Sequence, residues 1–126
     1  MVDTFDPTAE KGALDAAEVR GLIENWGDDA PHLQELEQAR YAHLVRHPGW
    51  QEGAGQFSAV ELDQLIRIFT VGEQECRGWS AGDKSAVIPI VAELKRQGAY
   101  AKETTQWIKA HTDNKFLPHG SLAARL

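Results

Sequence analysis

A single cysteine, Cys76, leaves this 126-residue chain without an intrachain disulfide and without the thiolates of a multi-cysteine zinc site. Long apolar runs are equally scarce, and none approaches the roughly 20 residues needed to span a bilayer. The opening MVDTFDPTAEKG has neither the basic start nor the apolar segment of a signal peptide, so a cytoplasmic protein with no membrane partner is expected. Basic charge is in short supply too. The net charge of −6 argues against a protein whose task is to grip nucleic acid, since phosphate binding needs a basic footprint. The shortage is confined to one half: residues 1–63 carry 13 Asp and Glu against 4 Lys and Arg, whereas residues 64–126 carry 6 against 9. Lys84, Lys95, Arg96, Lys102, Lys109 and Lys115 are spread over several segments without interleaved aromatic platforms, which also speaks against a nucleic-acid partner. Two oppositely charged halves packing into one globule account for the asymmetry. It would equally let the second half attract an anion, or steer one copy toward another.

What is present reads as an ordinary globule: 42% hydrophobic and 25% charged residues suit one folded domain spanning residues 1–126. A chain of this length buries roughly two-thirds of its unfolded surface, enough for a core without staples. Residues 1–12 are the one stretch whose composition suits disorder. No segment alternates like a strand, and five carry a helical period, so an all-α bundle of about five helices with short loops is expected. In the first, Val19, Leu22, Ile23 and Trp26 share a face, with Asp15 to cap the start and Gly27 to suit the end. A second is opened by Asp28-Asp29-Ala30-Pro31, marked by Leu33, Leu36 and Leu44, and stopped by His47-Pro48-Gly49. Trp50 to Gln56, with Gly53 and Gly55, reads as loop.

The third helix opens on the capping box Ser58-Ala59-Val60-Glu61. It carries Leu62, Leu65, Ile66, Ile68 and Phe69 over a broad arc, with Val60 and Val71 nearly opposite, and Gly72 or Gly78 ends it. Apolar surface that wide suits a central helix contacted from two sides. The fourth begins near Asp83 or Ser85, repeats Val87, Ile90, Val91 and Leu94, and stops at Gly98; Pro89 fits only in its first turn. The fifth covers about Lys102 to Thr112, with Trp107 and His111 one turn apart and Asn114 at its end. Phe116-Leu117-Pro118-His119-Gly120 reads as a packed turn, and Ser121 as the cap of a last turn to Leu126.

Candidate chemistry is sparse. Gly78-Trp79-Ser80-Ala81-Gly82-Asp83-Lys84-Ser85 has the look of a phosphate loop, but only three residues separate the glycines and Asp83 would repel the anion. A helix-capping loop is the simpler reading. On the second helix, Arg40, His43 and His47 fall in the same arc as Leu33, Leu36 and Leu44. His43 and His47 have the i, i+4 spacing of metal ligands, yet the segment between them lacks the glutamate of a zinc-protease helix and Arg40 would repel a cation. An anion held by Arg40 and the two histidines suits these residues better. His111, Asp113, Asn114 and His119 form a third group, with a histidine near a carboxylate but no identifiable nucleophile. Glu35, Glu37, Glu73 and Glu75 lack the Glu-x-x-His pairs of a di-iron bundle. Of four tryptophans, Trp26 and Trp107 lie on core faces. Trp50 and Trp79, in glycine-containing loops, either plug the bundle or centre an interface.

No catalytic set, metal site or cofactor fingerprint emerges. The leading expectation is a non-enzymatic protein-interaction or regulatory module that binds a protein partner or self-associates as a homodimer, supported by the wide apolar arc of the third helix. The alternative is a small anionic ligand, or an enzymatic site, held by Arg40, His43, His47 and the His111–His119 segment. Convergence of those side chains on one concave pocket distinguishes the two.

Overall fold

The computed structural model describes residues 13–26, 33–76 and 78–120. Residues 1–12, the Gly27 stop, the Asp28-Asp29-Ala30-Pro31 opening and the Ser121 cap lie outside them. Among the described residues the chain forms six helices and no strand: α1 (Ala16–Trp26), α2 (Glu35–Val45), α3 (Trp50–Gly53), α4 (Ala59–Glu75), α5 (Val87–Arg96) and α6 (Lys102–His111). Two 3₁₀ turns, Ala54–Gln56 and Gly82–Lys84, join them. The all-α fold read from the periodicity is therefore present, with one helix beyond five.

That extra helix is α3, where the sequence suggests loop. Trp50, Ala54 and Phe57 are spaced at i, i+4 and i+7, and all three are buried. Trp50 donates its indole N–H to the Leu44 carbonyl at 2.7 Å, and Gly53 donates to the Gly49 carbonyl at 2.8 Å. The inward face of three apolar residues coils the segment, and Gly53 adopts right-handed helical geometry instead of supplying a flexible joint.

Local signals set most helix ends. The Asp15 carboxylate accepts from the N–H groups of Ala17 and Glu18 at 3.0 and 3.3 Å. In α4, Ser58 Oγ accepts from Glu61 N–H at 3.1 Å while the Glu61 carboxylate accepts from Ser58 N–H at 2.9 Å, closing the capping box. Pro89 is the third residue of α5, in the first turn, where its missing N–H costs nothing. Gly98, with φ +73°, ends the same helix by donating to the Lys95 carbonyl at 3.0 Å.

One face of α2 differs from the pattern expected. Leu33 and Leu44 are buried, but Leu36 is 86% exposed. Tyr41, Leu44 and Val45 define the buried face. Leu36 sits five positions before Tyr41, roughly 140° round the helix, so it points outward. Arg40 and His43 follow it to the exposed side, and His47 is half-buried.

The central element is α4. Leu62, Leu65, Ile66, Ile68 and Phe69 are all buried, and α1, α5 and α6 pack on the helix within this one chain. The arc that suggested a second copy is thus covered by intrachain neighbours. Only Val60, 70% exposed, remains outside, with Val71 half-buried. Buried apolar side chains from Val19 to Leu117 form one continuous core.

Trp79 locks that core from its loop. Its ring stacks on Trp26 with centroids 6.0 Å apart, lies 6.1 Å from the ring of Phe69, and fills the groove left by Gly72. Its indole N–H donates to the Gln38 carbonyl at 2.8 Å. A methyl at Gly72 would land on that ring. Alanine adds about 1 kcal/mol of helix propensity, whereas overpacking costs about 1–3 kcal/mol. Because the ring is clamped between Trp26 and Phe69, the upper end applies. Gly72→Ala should therefore lose about 1–2 kcal/mol in urea denaturation; an unchanged or raised midpoint would refute the clamped-ring account.

Candidate functional site

Two concavities that bring ionisable side chains together use the C-terminal turn. The first is a groove of about 480 Å³ lined by Lys95 of α5, Lys109 of α6 and His119 of the turn, against an apolar wall of Ile88, Val91, Ala92 and Pro118. Helical spacing explains the α5 side: Ile88, Val91, Ala92 and Lys95 fall at i, i+3, i+4 and i+7. Lys95 Nζ lies 3.0 Å from His119 Nδ1. An ammonium has only donors, so Nδ1 is the acceptor and the ring proton belongs on Nε2. Tyr100 backs the pair, with Lys95 Nζ 5.5 Å from its centroid and the His119 ring edge-on at 6.4 Å. Tyr100 is held in turn by its hydroxyl, 2.6 Å from Thr105 Oγ1. Among the described residues no carboxylate belongs to the lining.

The second cavity, about 350 Å³, is lined by residues that include Glu73, Ser80, Gly82, Asp113, Asn114 and Phe116. Glu73 belongs to the core-facing side of α4, seven residues after Ile66 and four after Phe69, and is only 8% exposed. Ser85 Oγ donates to its Oε2, and Asn114 Nδ2 donates to its Oε1 at 3.2 Å. Ser85 Oγ also accepts from Val87 N–H at 3.1 Å, at the start of α5. Asn114 Nδ2 reaches the Gly82 carbonyl at 2.9 Å, and its Oδ1 accepts from Phe116 N–H at 2.9 Å. One carboxylate therefore ties α4 to the loop before α5 and to the turn after α6. Burial pushes the Glu73 carboxyl above its ordinary range, against the two hydrogen bonds and the more distant Arg46 charge.

The residues singled out from sequence do not converge. His43 Nε2 pairs with Glu18 Oε1 at 3.0 Å, and its ring sits 5.9 Å from that of His47. His47 Nδ1 accepts from Gly49 N–H at 2.9 Å, closing the turn after α2. Arg40 lies over the ring of its neighbour Tyr41, at 5.2 Å. His111 stacks on Trp107 at 4.2 Å, and Arg67 covers the same indole at 4.8 Å. Of the five, His119 alone lines the basic groove. Among the described residues no cluster of three or more His, Cys, Asp or Glu could hold a metal.

Trp50 and Trp79, considered above as interface aromatics, have no exposed surface and serve as plugs. The phosphate-loop-like segment forms the Gly82–Lys84 3₁₀ turn and delivers Ser85 to the start of α5. Burial, with help from Glu75, pushes the Cys76 thiol up to about 11, so it is no thiolate at neutral pH. No helix among the described residues is long and apolar enough to cross a membrane. Comparison with protein-family models, with curated proteins and with solved structures finds no match.

Sequence reasoning missed Glu73 and the pairing of Lys95 with Lys109. Glu73 did leave a signal, a carboxylate on the core stripe of the central helix. The lysines left none, because α5 and α6 meet only in the tertiary structure.

Titration separates the carboxylates. Glu73, raised in the fold, stabilises the native state most below the unfolded value of 4.5, and that contribution is lost as pH rises through its folded pKa. Glu61 and Glu93 are held down at about 2 by hydrogen bonds from Arg20 and Arg96, so their contributions are present above 4.5 and lost as pH falls toward 2. His47, lowered by burial and by His43, opposes Glu73 below 6.5. Subtracting the Glu73→Gln profile from wild type isolates Glu73. Urea titrations from about pH 3 to pH 8 should show the loss of stability above 4.5 reduced in Glu73→Gln, and the acid limb below it retained. Parallel profiles above 4.5 would refute the assignment.

Proposed function

We propose that this protein is a non-enzymatic, cytoplasmic binding module whose ligand is a small anion with an apolar portion, seated in the groove between α5, α6 and the C-terminal turn. The observation that carries the reading is the convergence of Lys95, Lys109 and His119, among the described residues, on a groove whose other described walls are apolar. Two ammonium groups donate charge-assisted hydrogen bonds to an oxyanion, and Ile88, Val91, Ala92 and Pro118 receive the remainder. His119, an acceptor for Lys95 through Nδ1, positions that ammonium at the groove wall.

The same reading keeps one part of the anion site expected from sequence, His119, and leaves out Arg40, His43, His47 and His111. It is preferred over self-association or a protein partner because the apolar arc of α4 and both loop tryptophans are buried in the chain itself. Among the described residues Leu36 and Val60 are the large apolar side chains left exposed, and single exposed apolar residues need no partner. The groove's lining offers ammonium groups and apolar carbon suited to holding an anion by contact.

Calorimetric titration with hexanoate and with inorganic phosphate tests this. Hexanoate should bind more tightly than phosphate, since only it uses the apolar wall. Lys95→Ala and Lys109→Ala should each weaken hexanoate by about tenfold, near 1.4 kcal/mol for a charge-assisted contact. Hexanoate binding that survives the double substitution, or is absent at millimolar concentration, would sink the proposal.

A further inference from the structure

We propose that the cavity round Glu73 is a second, independent binding site, for a small organic cation with a primary ammonium group. The donor pattern decides the polarity of the site. Ser85 Oγ uses its proton on Glu73 and its lone pair on Val87 N–H, and Asn114 Nδ2 adds a second donor, so both Glu73 oxygens are acceptors. Both oxygens of this group, only 8% exposed, therefore face donors. Its direct partners are neutral dipoles. Arg46, the cation whose charge it feels, donates instead to the carbonyls of Gly78 and Ser80, at 3.2 and 2.7 Å. A buried anion without a contacting cation is costly, and a cavity of about 350 Å³ opens onto it.

The rest of the lining fits a cation with three donors. Asp113 supplies a second carboxylate, Ser80 a hydroxyl, and Phe116 an aromatic ring. Lys115 also lines the cavity, but its side chain is exposed and joins no ion pair among the described residues. Among the described residues no group of three His, Cys, Asp or Glu is placed to ligate a metal ion. An ammonium needs only acceptors and tolerates their irregular placement. The volume limits the ligand to a short chain.

The test is a titration of the full-length protein with propylammonium, followed by the amide and side-chain resonances of Asn114 and Gly82. Propanol and tetramethylammonium serve as controls, the first lacking charge and the second lacking donors. Propylammonium should give saturable shifts at these residues, and both controls should bind at least about tenfold more weakly. Glu73→Gln should weaken propylammonium by about tenfold or more. Because that substitution also alters the Ser85 bond, Asp113→Asn, at an exposed position, provides a variant that keeps the fold and should weaken binding about threefold. Lys95→Ala should leave the amine unaffected, which separates this site from the anion groove. Shifts that do not saturate, equal response to propanol, or full affinity in both Glu73→Gln and Asp113→Asn would overturn the proposal.

Discussion

The seating of Trp79 over Gly72 is the contact on which the other packing depends. A tryptophan ring can lie flat on a helix only where a side chain is missing, and Gly72 provides that gap in α4. From there the ring reaches Trp26 of α1 and Phe69 of α4, and its N–H reaches the backbone of α2 at Gln38. Three helices distant in sequence are thereby referred to one side chain on a loop. Two segments that lead to the candidate sites follow directly: residues 78–80, pinned again by Arg46, and the 3₁₀ turn that carries Ser85 to α5. With the indole N–H satisfied and the ring fully buried, the loop has little freedom to open.

Much of this arrangement can be read from the residues without coordinates. The capping box at Ser58, the Asp15 cap, Gly98 and the first-turn placement of Pro89 all act within a few residues of themselves, and local chemistry is what a single sequence exposes. The failures have a common cause. Three leucines at helical spacing suggest a buried Leu36, whereas Tyr41, Leu44 and Val45 face the core instead. The same rotation carries Arg40 and His43 outward, so a site assembled on that stripe was bound to scatter. Trp50 to Gln56 looked like loop because its glycines are conspicuous; the burial of Trp50, Ala54 and Phe57 outweighs them.

Glu73 illustrates a different limit. Periodicity places it on the core face of α4, and that much is legible. What makes a carboxylate tolerable there is the pairing with Ser85, twelve residues on, and Asn114, forty-one residues on. Neither partner is identifiable from spacing. A buried charge is a question that the sequence poses and only the tertiary structure answers. The basic groove is harder still, since Lys95 and Lys109 belong to charge-bearing helices whose solvated faces look alike until α5 and α6 are docked.

The unequal charge of the two halves takes on meaning in this frame. The acidic first half supplies α1 to α3 and the start of α4. Both concavities are instead built from the second half, which carries the excess of lysine and arginine. Within that half the turn after α6 is the common wall. On one side Asn114 holds it to Glu73 and Gly82; on the other His119 meets Lys95. The negative cavity and the positive groove are thus separated by a few residues of backbone, with Leu117 and Pro118 buried between them. That turn is fixed at both ends, by Asn114 on Glu73 and by His119 beside Lys95.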